Sequence, residues 1–345
     1  MLIRRWCVVG AFALALPAAV GCKKDDDPVG KQGGSDSPDP KDPGAPKAYD
    51  SKPPPVAVGK LAATPAQLAS SEDLSLLPVD AEVVMGINFA QIQTSEAWKQ
   101  LIEPKLSGNG DFVGKLGELK ATCGFDPMAE IKSLAVGMKG LGGGTRDGVI
   151  VVHGLDKGKT MACFDKKDAL AKHDLDASLD GDVAFLRPAK GEPEDVVGVT
   201  FVNDTTAIVV IGPRATKEGV NKAAAGKSPL KTSPTFIDMY NRLDTTQSMW
   251  VMVNGNWKVF DRLKQLGITA AGMFGTLATN DSVGLDLRMR LDSADTAASI
   301  KGRWGSTAEG YLKNYADKVT ITTEGPDVRF VVATANLDRL KSLVK

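Results

Sequence analysis

The stretch Val149–Thr160, VIVVHGLDKGKT, carries a β-branched run into a glycine turn and then into Gly-Lys-Thr. That order invites a nucleotide-binding reading. A phosphate-wrapping loop needs G-x-x-x-x-G-K-[ST], so that backbone N–H groups encircle the phosphates and the lysine reaches their far side. Here only three residues separate Gly154 from Gly158, and His153 stands where the first glycine belongs. The shorter loop has the wrong circumference, and no acidic residue closes a later buried strand to hold magnesium. Asp286 falls inside an alternating stretch and is read as solvent-facing. The segment is therefore read as a strand, a polar turn, and a helix from Lys159 or Thr160 that carries Cys163. Gly142-Gly143-Gly144 is read as a hairpin connection rather than a phosphate cradle.

Other chemistries find little purchase. His153 and His173 are the two histidines, and neither has H-x-x-x-H or H-E-x-x-H spacing, so no zinc site is expected. There is no G-x-S-x-G elbow. A Ser-His-Asp triad gathered from distant positions is a matter of geometry rather than sequence and stays open, as does a pair of carboxylates for glycoside chemistry. Trp250, Trp257 and Trp304 fall at strand and helix spacing and are read as core. No cofactor is expected.

The four cysteines are Cys7, Cys22, Cys123 and Cys163. Cys7 and Cys22 belong to the N-terminal segment MLIRRWCVVGAFALALPAAVGC. Arg4 and Arg5 precede an apolar run, Trp6 to Val20, which is shorter than the roughly 20 residues a membrane span needs. Small residues then lead into Ala19-Val20-Gly21-Cys22. This segment resembles the lipobox of bacterial lipoproteins, with Ala19 where leucine is usual. The resemblance covers only these first residues. It implies that Cys22 becomes the first residue of the mature chain and carries acyl groups. Each buried CH₂ contributes about 0.8 kcal/mol, so several chains hold a protein firmly on a bilayer. Lys23, not aspartate, follows the cysteine, which by the family's sorting rule implies the outer membrane, at its periplasmic face or the cell surface. For an exported chain, the two remaining cysteines predict a Cys123–Cys163 disulfide.

Behind the anchor, residues 22–65 are rich in proline, glycine, aspartate and lysine and poor in large apolar residues. Such a segment cannot bury enough surface to offset its ordering entropy. It is read as a tether with a coil reach of roughly 35 Å. Asp25-Asp26-Asp27 is read as solvated charge rather than a metal site.

The body beyond residue 65 alternates strand-like and helix-like stretches. Glu82–Phe89, Ile131–Met138, Gly148–His153, Val196–Val202 and Thr206–Ile211 read as strands in its first part, with helices near Thr94, Thr216–Ala225 and Pro234–Leu243. From Ser248 the scheme starts again: strand, helix around Trp257–Leu266, strand at Ser282–Leu291, helix from Ala294, the hairpin Val319–Thr322/Val328–Val332, and a helix from Leu337. Trp98-Lys99 and Trp257-Lys258 occupy matching places. The expectation is α+β, with antiparallel or mixed sheets and packed helices, built as two similar halves at 66–245 and 246–345 after a signal peptide at 1–21. In general layout the body is similar to uncharacterised secreted lipoproteins of Gram-negative bacteria, which implies no particular activity.

Lysine plus arginine equals aspartate plus glutamate at 42 each, so removing Arg4 and Arg5 leaves 40 against 42, or −2. No basic stripe and few aromatics exclude nucleic acid as the expected partner, and the defective loop excludes nucleotide. What remains is a membrane-anchored envelope protein whose body binds or scaffolds a protein partner. Two other readings stay open: a carrier of a lipid or other hydrophobic ligand, and an envelope hydrolase with dispersed catalytic residues.

Overall fold

The computed structural model describes residues 72–341 apart from 109, 142–144, 191–194, 227–229, 256, 258–259, 266 and 281. Cys22, the signal segment, the tether, Gly142-Gly143-Gly144 and Lys258 lie outside the described residues.

The apolar runs form one twelve-stranded sheet. Its strands are β1 (Val83–Ile87), β2 (Ser133–Lys139), β3 (Asp147–His153), β4 (Leu175–Asp180), β5 (Val183–Pro188), β6 (Val197–Phe201), β7 (Thr206–Ile211), β8 (Met249–Asn254), β9 (Ala270–Ala278), β10 (Val283–Leu291), β11 (Lys318–Glu324) and β12 (Asp327–Thr334). Their order is β11-β12-β10-β9-β8-β1-β2-β3-β7-β6-β5-β4. Every neighbouring pair is antiparallel, which settles the choice between antiparallel and mixed. The middle strands are apolar on both faces because both faces are covered; Val149 to Val152 are all buried.

The helices are α1 (Phe89–Thr94), α2 (Glu103–Gly108), α3 (Gly110–Cys123), α4 (Pro127–Glu130), α5 (Lys157–Phe164), α6 (Lys167–Ala171), α7 (Lys217–Ala224), α8 (Pro234–Tyr240), α9 (Phe260–Gln265), α10 (Ala294–Leu312) and α11 (Asp338–Lys341), with a π-helical turn at Trp98–Ile102 and a 3-10 turn at Asp73–Ser75. Among the described residues no helix is long and apolar enough to cross a membrane.

The two faces are dressed differently. On the first, Val84, Ala135, Val149, Val151, Ile208 and Val210 pack under the 3-10 turn, α7 and α8, and this core ends at Trp250, Met252 and Phe274. On the second, Ile87, Leu134, Val136, Ile150, Val152 and Val209 pack with residues of α1, α5 and α6, while Ile300 of α10 packs with Leu291, Ile321 and Val328. Past Phe274 the first face turns polar, and the Arg288 and Arg290 guanidinium groups stand 5.8 and 5.2 Å from its ring centre.

Three strands escape the sequence reading. β4 alternates small or polar exposed residues with only Leu175 and Ala177 buried. β5 completes the same outer hairpin. β9, AAGMFGTLA, is rich in alanine and glycine, which are poor strand formers taken singly. One expected core residue is also misplaced. Trp304 is 42 % exposed, because its neighbour Gly305 takes the buried position on α10.

Candidate functional site

The chemistry-bearing residues gather where apolar strands end. Asn88 donates its backbone N–H to the Ser248 carbonyl at 2.8 Å. Continuing the β1–β2 register from Ile87↔Leu134 sets Asn88 opposite Ser133, Ser133 lies opposite His153, and His153 opposite Thr206. Ser248, Asn88, Ser133, His153 and Thr206 thus form one row across five strands. Strand alternation puts them on the first face, in line with Trp250, Gly86, Ala135, Val151 and Ile208.

His153 is the hinge of this row. Its Nε2 lies 3.0 and 3.1 Å from the two carboxylate oxygens of Asp73, on the 3-10 turn above. Its Nδ1 lies 3.2 Å from Thr206 Oγ1. A neutral imidazole in this frame donates from Nε2 to Asp73 and accepts the Thr206 hydroxyl proton at Nδ1. The polarity is that of a Thr-His-Asp relay, with the ring nitrogens exchanged relative to the familiar serine hydrolase triad. Access is what it lacks, since Thr206 is 6 % exposed. The relay clasps the 3-10 turn to the sheet. Tyr240 of α8 closes the same roof, and burial, aided by the Asp73 charge, raises its phenol above the usual range against the hydrogen bond with Thr245.

A matching row crosses the far side. Asn254 donates its backbone N–H to the Glu82 carbonyl at 3.0 Å, and Gly272, Arg290 and Asp327 follow in register. Here the charges close on themselves. Asp327, whose side chain is 0 % exposed, receives Arg290 Nε at 2.9 Å, Arg290 Nη2 at 3.1 Å and Arg242 Nη1 at 3.0 Å. Asp238 of α8 also holds Arg290. The Asp327 bond raises the Arg290 guanidinium further above its already high range. A further network joins Asp80, Lys139, Asp147 and Arg214, with Arg214 Nη2 3.1 Å from Asp80 and Lys139 Nζ 3.2 Å from Asp147. Burial alone would raise the Asp80 carboxyl, but Lys139 and Arg214 outweigh it and hold it below the usual range.

The expected sites fall as follows. Cys123 of α3 and Cys163 of α5 form a disulfide, with Cα atoms 4.7 Å apart. The two histidines are not brought together: His173 Nδ1 lies 2.9 Å from Glu118 of α3, on the other side of the sheet from His153. The Gly-Lys-Thr segment is an ordinary helix start. Asp156 Oδ1 accepts from the Lys159 N–H at 2.8 Å, where a phosphate would otherwise sit, and Lys159 Nζ pairs with Glu130 at 2.9 Å. Asp286 pairs with Arg329 Nη2 at 2.7 Å, so it is a member of a charge ladder rather than a free surface group. Asp73, Asn88, Ser133 and Thr206 were invisible to motif reasoning. Their signal was positional: each is a polar residue at or near the edge of an apolar run.

Comparison with protein-family models and with curated proteins finds no match to this sequence. A solved structure, crystal form III of TP0453, superposes over 79 % of this chain and 96 % of that one, at 11 % identity and a TM-score of 0.49.

Proposed function

We propose that this chain is a cell-envelope lipoprotein, held through acylated Cys22 on the outer membrane, whose tethered body binds or scaffolds an envelope protein partner. The carrying observation is the segment Ala19-Val20-Gly21-Cys22 behind a positive and then apolar leader. The Cys123–Cys163 bridge supports it, since such bonds persist in oxidising compartments. A binding role is preferred to catalysis because the Thr206–His153–Asp73 relay is closed off, with Thr206 6 % exposed. The test is metabolic labelling with palmitate followed by membrane fractionation. Label and membrane association are expected in the natural chain and lost in Cys22→Ser. Label retained in the variant overturns the anchor. Crosslinking in intact cells that yields no reproducible partner overturns the scaffold.

We also read the body as an internal duplication, with halves at 66–245 and 246–345. Outward from the central β1–β8 pair, the order β1-β2-β3-β7-β6 matches β8-β9-β10-β12-β11, and β5 and β4 extend the first run. Side chains support the same alignment. Asn88 Nδ2 donates to the Gln247 carbonyl and Asn254 Nδ2 to the Ala81 carbonyl, at matching positions about the β1–β8 pair.

A hydrophobic-ligand carrier is the second reading. The observation favouring it is a cross-strand row on the second face, Met249, Leu277, Leu285 and Val332, every member of which is only half-buried. Solvent extraction of the purified protein followed by mass spectrometry tests it, and a lipid-free extract rejects it.

A further inference from the structure

The two polar rows occupy equivalent register, yet they are satisfied differently. In the Arg290 row the hydrogen-bonding groups find protein partners: Arg290 and Asp327 bind each other, Asn254 binds Ala81, and Gly272 has no side chain to satisfy. In the His153 row two side-chain atoms, Asn88 Oδ1 and Ser133 Oγ, have no protein partner among the described residues, and a third, Trp250 Nε1, stands in the adjoining row. Their residues are 2, 0 and 0 % exposed. A buried polar atom left bare is costly, so three in one neighbourhood are not a neutral accident.

They share one neighbourhood by construction. Carried one step past Ile87↔Leu134, the β1–β2 register sets Asn88 opposite Ser133, and residues so opposed hold their Cβ atoms about 4.5–5.5 Å apart. The Trp250 indole lies flat across Gly86, two residues before Asn88 on the same strand face, and a Cβ at Gly86 would overlap the ring. The Nε1–H therefore sits over Gly86, one same-face step along the strand from Asn88. Side-chain size points the same way. Where the second row is filled by Arg290 and Asp327, the first has the shorter His153 and Thr206.

We propose that Asn88, Ser133 and Trp250 frame a buried site for an uncharged hydroxyl-bearing guest, either a water molecule or one hydroxyl of a small polyol. The chemistry of the frame sets the class. Asn88 Oδ1 accepts, Trp250 Nε1–H donates, and the Ser133 hydroxyl does either. A guest hydroxyl carries one donor and two acceptor positions and satisfies all three. A charged guest is excluded, because Asp73 and His153 already face each other and a further buried charge would stand uncompensated.

The test is a crystal structure of the full chain in detergent, at a resolution that shows ordered water, from crystals grown with and without glycerol. The expected result is a density peak within hydrogen-bonding distance of both Ser133 Oγ and Asn88 Oδ1. A lone water in both crystals identifies the guest as water. Glycerol density in the second crystal identifies a polyol site. Both outcomes fit the proposal. Two well-ordered crystals with no peak there, and with Ser133 Oγ turned onto a backbone carbonyl, overturn it. Oxygen-17 water relaxation in solution gives an independent count. Ser133→Ala, which removes one partner of the guest, is expected to lose one long-lived water or to speed its exchange by about tenfold or more. An unchanged count and exchange rate in a folded variant also overturns the proposal.

Discussion

The His153 row and the Arg290 row are two answers to one problem. Each crosses the same face of the sheet, one over β8, β1, β2, β3 and β7 and the other over β8, β9, β10 and β12, and each is roofed by α8 or the 3-10 turn. The Arg290 row meets the cost of buried polarity by pairing full charges, with Asp327 held by two arginines. The His153 row has a relay with a neutral alternative, Thr206–His153–Asp73, and leaves three polar atoms without a protein partner beside it. A buried ion pair fixes geometry firmly but punishes the loss of either member, because the survivor is an uncompensated charge. A neutral hydroxyl–imidazole arrangement tolerates loss better.

The largest effect separating the two rows should come from Asp327→Ala, which removes the buried carboxylate and leaves Arg290 only the exposed Asp238, at about 3 kcal/mol in urea unfolding. Replacing both partners by apolar residues, Arg290→Met with Asp327→Leu, should cost far less. If the double change is as damaging as the single one, the row depends on charge in some way other than pairing. Next is the Cys123–Cys163 bridge. Its 40-residue separation implies about 4 kcal/mol from chain entropy, so Cys123→Ala with Cys163→Ala should lower the urea midpoint clearly in non-reducing buffer. In reducing buffer the natural chain should fall to match the variant.

Breaking the relay should be milder. Asp73→Ala leaves the His153 Nε2–H without its acceptor and releases the 3-10 turn, at about 1–3 kcal/mol, and hydrogen exchange should rise in Asp73–Ser75 before it rises in the strands. The smallest effect is pH-dependent. The Asp80 carboxyl is held below its usual value by Lys139 and Arg214. A carboxyl depressed on folding contributes stability that is present above its unfolded value, near 3.8, and is lost as pH falls through the folded value. The stability difference between the natural chain and Asp80→Asn should therefore be constant above about pH 5 and shrink below about pH 4. Because Asp80 is about half exposed, solvent screening keeps this difference small.

Much of the fold was legible in the sequence, and the reasons are local. The runs VVMGI, SLAVGMK and DGVIVVH are buried on both faces and announce themselves by composition. The Asn203-Asp204-Thr205 turn marks the β6–β7 hairpin, and Ser293 caps α10 through the Thr296 N–H at 3.1 Å. The edge hairpin β4–β5 was not legible, since an edge strand needs only one apolar side and Leu175 and Ala177 supply little of it. The paired cysteines were readable once Cys7 and Cys22 had been assigned to the N-terminal segment. The relay was not, because Asp73 and His153 lie 80 positions apart and meet only through the packing of a 3-10 turn on a finished sheet. Even so, Asn88, Ser133, His153 and Thr206 each sit at a strand boundary. Once strand order is known, that shared position aligns them.

The central β1–β8 contact has a consequence for how the chain is made. Val83 pairs with Val253 and Ile87 with Met249, so a strand at the front of the body is completed by one emerging long after it. Until then the first half presents VVMGI as a bare edge in the middle of its future sheet, with Gly86 awaiting the Trp250 indole. Two nascent copies that meet in this interval can each donate Met249–Asn254 to the other and satisfy the same ladder, giving an exchanged pair whose contacts are those of the monomer. Local concentration during synthesis then decides between a single molecule and an interlocked one.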